Sequence, residues 1–206
     1  MVTYYVALGR YELKQFDDGS RRPVIYLSGR ELYVTVSEYI LWNALLWNIQ
    51  NYDALKADCL HKAQQFGVEL SEAGFEQTLN RLLLRGLVRK GQGFTAVAAL
   101  FELLVGTDVI AVRFSVFQKA LGFLRLLWRG YPLRTALRIL KADRMKSSEI
   151  KIWRSHSHRK ISARKLLGSA DLPTGHPVPL SSTTQEHLAA IANLYLKRKV
   201  ILDESK

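Results

Sequence analysis

The sequence predicts a mainly α-helical chain with a small antiparallel β component. It divides into a winged helix-turn-helix N-terminal domain over residues 1–105 and a basic helical C-terminal domain over residues 106–206. Three observations lead there. A capped amphipathic helix over 71–86 runs into a Gly-rich segment that reads as a hairpin. Three strand-like segments lie within residues 3–36. The net charge of +12 comes wholly from the second half: residues 1–105 hold eleven basic and eleven acidic residues, and residues 106–206 the other 19 and 7.

Residues 3–16, TYYVALGRYELKQF, are rich in aromatic and β-branched residues and predict a strand broken at Gly9. Asp17-Asp18-Gly19-Ser20 is a turn. Pro23–Leu27 and Glu31–Val36 predict two further strands around Ser28-Gly29-Arg30. Ser37 with Glu38 starts a first helix, apolar almost all round and carrying Trp42 and Trp47. Asn51 or Asp53 caps a second, with Leu55, Cys59, Leu60 and Ala63 on one stripe before Gly67. Ser71 caps the third, where Phe75, Leu79, Leu82 and Leu83 share a face and Gly86 ends the helix. Leu87-Val88 and Phe94–Val97, flanking Lys90–Gly93, predict a closing hairpin, the wing.

Two segments, VIYLSGRELYVTVSEYILWNALLW and NYDALKADCLHKAQQFGVELSEAGFEQTLNRLLLRGLVRKG, carry strands, a Trp-bearing helix, a Tyr-x-x-Leu helix entry and a closing Leu…Gly-Leu-Val in that order. Here residues 3–95 resemble the PqqD-like family, the peptide-recognition element of ribosomal peptide modification systems. The likeness covers less than half of the chain. It implies a winged-helix domain that takes an extended leader peptide as an added strand on its sheet edge, in the cleft towards the third helix. In this sequence that places peptide or protein contacts at Leu32, Val34 and Val36 and at Gln77, Asn80 and Arg81. Strand addition is a general recognition mode, because unpaired backbone groups supply the affinity.

Residues 98–129 and Leu133–Lys141 predict helices, broken by Gly130 and Pro132. Ser147-Ser148-Glu149 caps a helix over 150–158, the Pro-rich 168–182 is a loop, and the chain closes in a capped helix and a short strand. That ending echoes the third helix at an offset of 113, pairing Phe75 with Leu188, Leu79 with Ala192 and Gly86 with Lys199. The echo raises a second, partial winged-helix unit.

Residues 113–165 carry 15 basic residues against Asp143 and Glu149. Arg125, Arg129, Arg134, Arg138, Lys146, Lys151, Arg154, Arg159, Lys160, Arg164 and Lys165 recur at helix-like intervals and are the expected nucleic-acid contacts, since phosphate neutralisation drives such binding. The plainer reading is a solvated face or a mate for an acidic protein, and a basic helix over 114–129 lying on anionic membrane is a third. At the N-terminal half of the third helix Glu69, Glu72 and Glu76 oppose DNA, whereas Gln77, Asn80 and Arg81 suit base edges and Arg85, Arg89 and Lys90 suit phosphate.

Enzyme chemistry finds little support. Cys59 lies on an apolar stripe, His156 and His158 have no Cys or carboxylate nearby in sequence, and there is no phosphate-loop, HExxH or GxSxG motif. No cofactor, metal or transmembrane segment is expected. The lone cysteine and the lack of a signal-peptide pattern fit a cytoplasmic protein. The expected function is a winged-helix transcription regulator binding duplex DNA, with an N-terminal unit that docks a peptide or protein or forms a homodimer. The rival is a leader-peptide-binding protein of a ribosomal peptide modification locus.

Overall fold

The computed structural model describes residues 1–17, 19–112, 128, 145–155, 160–167 and 181–205. Within them the chain forms seven helices and three small antiparallel sheets. Among the described residues no helix is long and apolar enough to cross a membrane.

The N-terminal strand splits where expected. β1 (Val2–Ala7) and β2 (Arg10–Gln15) join different sheets, and Gly9 turns the chain between them at φ +87°. A Cβ at Gly9 would lie 2.6 Å from the Tyr26 carbonyl oxygen, so only glycine fits. β2, β3 (Arg21–Leu27) and β4 (Arg30–Tyr33) form a meander in that spatial order. Its second turn is Ser28-Gly29, with φ +49° and +81°, the two-residue hairpin geometry that matches strand twist.

Three helices follow. α1 (Val36–Leu45) is capped by Thr35, two residues before the expected Ser37. The Thr35 side chain accepts from the Glu38 N–H, and the Glu38 carboxylate accepts from the Thr35 N–H, a reciprocal capping box. α2 (Tyr52–Gln65) is capped by Asn51 and α3 (Glu72–Leu84) by Ser71, and Gly86 ends α3 at φ +70°. Phe75, Leu79 and Leu82 bury the α3 stripe; each contributes about 1.5–3 kcal/mol by leaving water.

The expected hairpin does not form. β5 (Val88–Gly93) is one continuous strand that pairs antiparallel with β1, Val2 facing Gly93 and Ala7 facing Val88. Residues 94–97 leave the strand and enter α4 (Ala96–Val105), capped by Thr95 accepting from the Ala98 N–H. The glycines that read as a turn serve close packing instead. A Cβ at Gly91 would run into the Ala99 carbonyl and the Leu103 backbone, and one at Gly93 into the Ala98–Ala99 backbone. The expected long helix over 98–129 is also interrupted, since β6 (Thr107–Ala111) begins just past Gly106. Its residues Val109 and Ile110 favour the strand.

α5 (Ser147–Ser155), β7 (Ile161–Ser162), α6 (Ala163–Leu167), α7 (Ser182–Leu196) and β8 (Val200–Glu204) complete the described chain. β6 is the central strand between β7 and β8. α7 and its exit reproduce α3 and its exit. Ser181 caps one as Ser71 caps the other. The Leu87 N–H reaches the Leu82 carbonyl, and the Lys199 N–H reaches the Leu194 carbonyl. At the helix exits Gly86 therefore corresponds to Arg198, which takes φ +59°, an offset of 112 rather than 113, while the caps lie 110 apart because α7 is two residues longer than α3. The preceding strands match as well: the Leu8 N–H bonds the Leu87 carbonyl, and the Val112 N–H bonds the Lys199 carbonyl.

One cluster of buried side chains draws on both ends of the sequence, including Trp42, Phe75, Phe101, Leu188 and Tyr195. The Trp42 indole N–H donates to the Leu8 carbonyl at 2.9 Å. The Tyr195 hydroxyl donates to the Leu45 carbonyl at 3.0 Å and accepts from the Trp47 N–H at 3.1 Å, where Trp47 sits at φ +64°. Burial pushes the Tyr195 phenol well above its ordinary value.

Candidate functional site

The β2–β3–β4 meander positions the candidate site. The Phe16 N–H donates to the Ser20 carbonyl at 2.9 Å, in the register where Arg10 faces Tyr26 and Lys14 faces Arg22. Even-numbered β3 residues therefore bond to β2, and odd-numbered ones bond to β4. Ile25 and Leu27 thus pair with Leu32 and Arg30, which turns the backbone groups of Glu31 and Tyr33 outward. Pro23 would face Val34 next, and its missing N–H stops the ladder there. This is why β4 ends at Tyr33 rather than at the expected Val36.

Leu32 and Val34 pack partly buried against the core. Val36 is the first residue of α1 and is 60% exposed. The strand edge is thus presented by Glu31 and Tyr33, and among the described residues no strand pairs with it.

Arg85, at the end of α3, fixes the far end of this edge. Its guanidinium donates to both carboxylate oxygens of Glu38 at 3.0 Å and to the Tyr33 carbonyl. The Glu38 side chain is only 2% exposed. One arginine thus joins α1, α3 and the end of β4, and it is not available for phosphate. Tyr33, Val36 and Leu84, all well exposed, stand on those three elements. Gln77, Asn80 and Arg81 are exposed on α3. On the sheet face, the Lys14 ammonium and the Tyr26 hydroxyl both donate to the Glu31 carboxylate, which lies below its usual range because of Lys14 first and Tyr26 second.

Of the expected nucleic-acid residues, Arg125, Arg129, Arg134, Arg138 and Arg159 lie outside the described residues. Lys146, Lys151 and Arg154, before and along α5, are exposed, as are Arg164 and Lys165 on α6. Lys160 is different. Its ammonium is 3.2 Å from Asp108 and 3.1 Å from Asp203 and donates to the Glu204 carbonyl, so it ties β6 to β8. Burial acts against its charge, but Asp203 and Asp108 outweigh that and raise its pKa. Lys160 is a structural cation, a role its sequence position did not reveal. Arg89 also leaves the phosphate set: it donates to the Gly106 carbonyl at 2.9 Å from a half-buried position.

Cys59 is fully buried, and burial pushes its thiol up to about 12. His61 lies beside Gln65, and among the described residues no group of three His, Cys, Asp or Glu side chains is placed to hold a metal ion. His156 and His158 lie outside the described residues. Arg85, like Lys160 and Arg89, takes a role that sequence reasoning did not assign. The signal for Arg85 was a basic residue at a helix end, adjacent to a Gly, with a capping-box glutamate upstream. Comparison with family models, with curated proteins and with solved structures finds no match to this chain.

Proposed function

We propose that the chain is a peptide-recognition protein that takes an extended peptide as an added strand on β4. The observation that carries this reading is the outward backbone of Glu31 and Tyr33 beside α3, with Arg85 holding the strand end in place. An added strand would bond the Glu31 N–H and C=O and the Tyr33 N–H, while exposed Tyr33, Val36 and Leu84 offer apolar contacts. The resemblance of residues 3–95 to peptide-recognition elements supports the same edge. The helix–turn–strand units at α3–β5 and α7–β8 fit a winged-helix-like plan in which the closing strand pairs with a preceding one.

Duplex DNA at the rear is the second reading, favoured by exposed Lys146, Lys151, Arg154, Arg164 and Lys165. The Lys160 clamp removes one expected contact from it.

One experiment separates them. Isotope-labelled protein is titrated with overlapping synthetic peptides tiling the small open reading frames beside its gene, and separately with duplex DNA. Peptide recognition moves the Glu31 and Tyr33 amides saturably, and Tyr33→Pro, which deletes an outward N–H without touching the β3–β4 ladder, abolishes the shift. Salt-dependent shifts at Lys151 and Arg154 with DNA, and none at β4 with any peptide, would replace this reading with the DNA one.

A further inference from the structure

The opposite edge of the same sheet carries a separate message. β2 is exposed along all six residues. Its even-numbered residues bond to β3, so Tyr11, Leu13 and Gln15 turn their N–H and C=O groups away from the sheet. Pro23 faces Leu13, a pair that needs no N–H from either residue. Among the described residues no strand covers this edge.

The side chains along it are self-complementary. The strand reads Tyr11-Glu12-Leu13-Lys14-Gln15, with opposite charges placed symmetrically about Leu13. If a second copy runs antiparallel with Leu13 facing Leu13, then Tyr11 faces Gln15 on either side. All three pairs are of the hydrogen-bonded kind and use every outward group of those residues. Glu12 then faces Lys14 twice, in the pairs where side chains approach most closely. Sliding the register so that Glu12 or Lys14 sits on the axis brings like charges together. Charge therefore selects the Leu13-centred register over its neighbours. Leu13, 54% exposed, and Tyr11, 39% exposed, share a face and extend an apolar strip across the junction.

We propose that two copies of this chain associate through antiparallel β2–β2 pairing, making one six-stranded sheet around a two-fold axis. The contact is isologous, so the assembly closes at two. It leaves both β4 edges open and does not depend on the peptide reading. The six backbone bonds of this register, each of modest net worth, correspond to a dissociation constant on the order of 10–100 µM.

The test is sedimentation equilibrium of the full chain at low salt, from about 5 to 500 µM, a range that brackets that constant. A monomer–dimer equilibrium is expected. Leu13→Pro, which removes the central outward N–H but no β2–β3 bond, should weaken it at least about tenfold. Lys14→Glu should weaken it through Glu–Glu opposition, and the Glu12→Lys/Lys14→Glu double exchange, made in a Glu31→Gln background because Lys14 pairs with Glu31 in its own chain, should restore it. If Leu13→Pro fails to fold, amide exchange in the wild type gives the answer: protection at Tyr11, Leu13 and Gln15 rises with concentration, while that at Glu12 and Lys14 does not. A wild-type chain monomeric throughout, a dimer indifferent to Leu13→Pro, protection flat at those three amides, or a double exchange that stays monomeric overturns the proposal.

Discussion

Arg85→Ala tests how far one arginine organises the β4 end. The Glu38 side chain is 2% exposed, and both of its oxygens accept from Arg85 at 3.0 Å, with one also accepting from the Thr35 N–H. Removing one partner of a buried ion pair costs roughly 3–5 kcal/mol, because the other charge stays buried and uncompensated. The Arg85 side chain is 29% exposed, so water partly replaces it, which lowers the expectation to about 2 kcal/mol. For a chain of this length that is a drop of about 4–8 °C in Tm, or about 1 M in the urea midpoint. The same substitution in a Glu38→Gln background leaves no buried charge. The amide oxygen introduced by Glu38→Gln can still accept from the Thr35 N–H, and the cost should fall below about 1 kcal/mol. The double-mutant cycle should give a coupling of about 1–2 kcal/mol by urea denaturation of the four proteins. Strict additivity, or an Arg85→Ala cost under about 0.5 kcal/mol, would refute the view that Glu38 depends on Arg85.

Three further outcomes follow from the core. Tyr195→Phe leaves the Trp47 N–H and the Leu45 carbonyl without their shared hydroxyl and should cost about 1–3 kcal/mol, with a changed near-ultraviolet signal from Trp47; a silent substitution would mean the hydroxyl is not holding that bend. The Cys59 thiol should resist iodoacetamide in the folded state and react only with the rate of opening. Its folded value of about 12 stands above the ordinary 9.0, so its contribution to stability is whole below pH 9 and declines as pH rises from there towards 12. Cys59→Ala should flatten that decline in urea midpoints, and an unchanged alkaline slope would contradict it.

Local signals in the sequence were reliable where a side chain answers its own backbone. Ser71 and Asn51 cap the helices they were expected to cap, because a cap is a bond across three residues. Gly9 and Gly86 take positive φ where a break or a helix end was read. A segment and a side chain were misread because the deciding partner lies far along the chain. Lys90–Gly93 has turn composition, but β1 supplies ladder bonds from the other end of the sequence, and α4 packs so closely that only glycine fits. Lys160 looked like one more phosphate contact until folding set it between Asp108 and Asp203, the latter 43 residues away. The edge groups of β4 depended on a parity that no periodicity reveals, since residues 31–36 read equally well as strand whichever way the ladder falls.

The sequence by itself determined the helix starts, the glycine-dependent bends, the apolar stripe of α3 and the imbalance of charge between the halves. Those are properties of short segments and of composition. Only the tertiary structure decided which strand β5 joins, which cations are neutralised by buried acids, and which backbone groups of β4 and β2 face outward. Each of these depends on a partner brought near by the packing of distant segments, and the free energy that chooses it arises only when both surfaces leave water together.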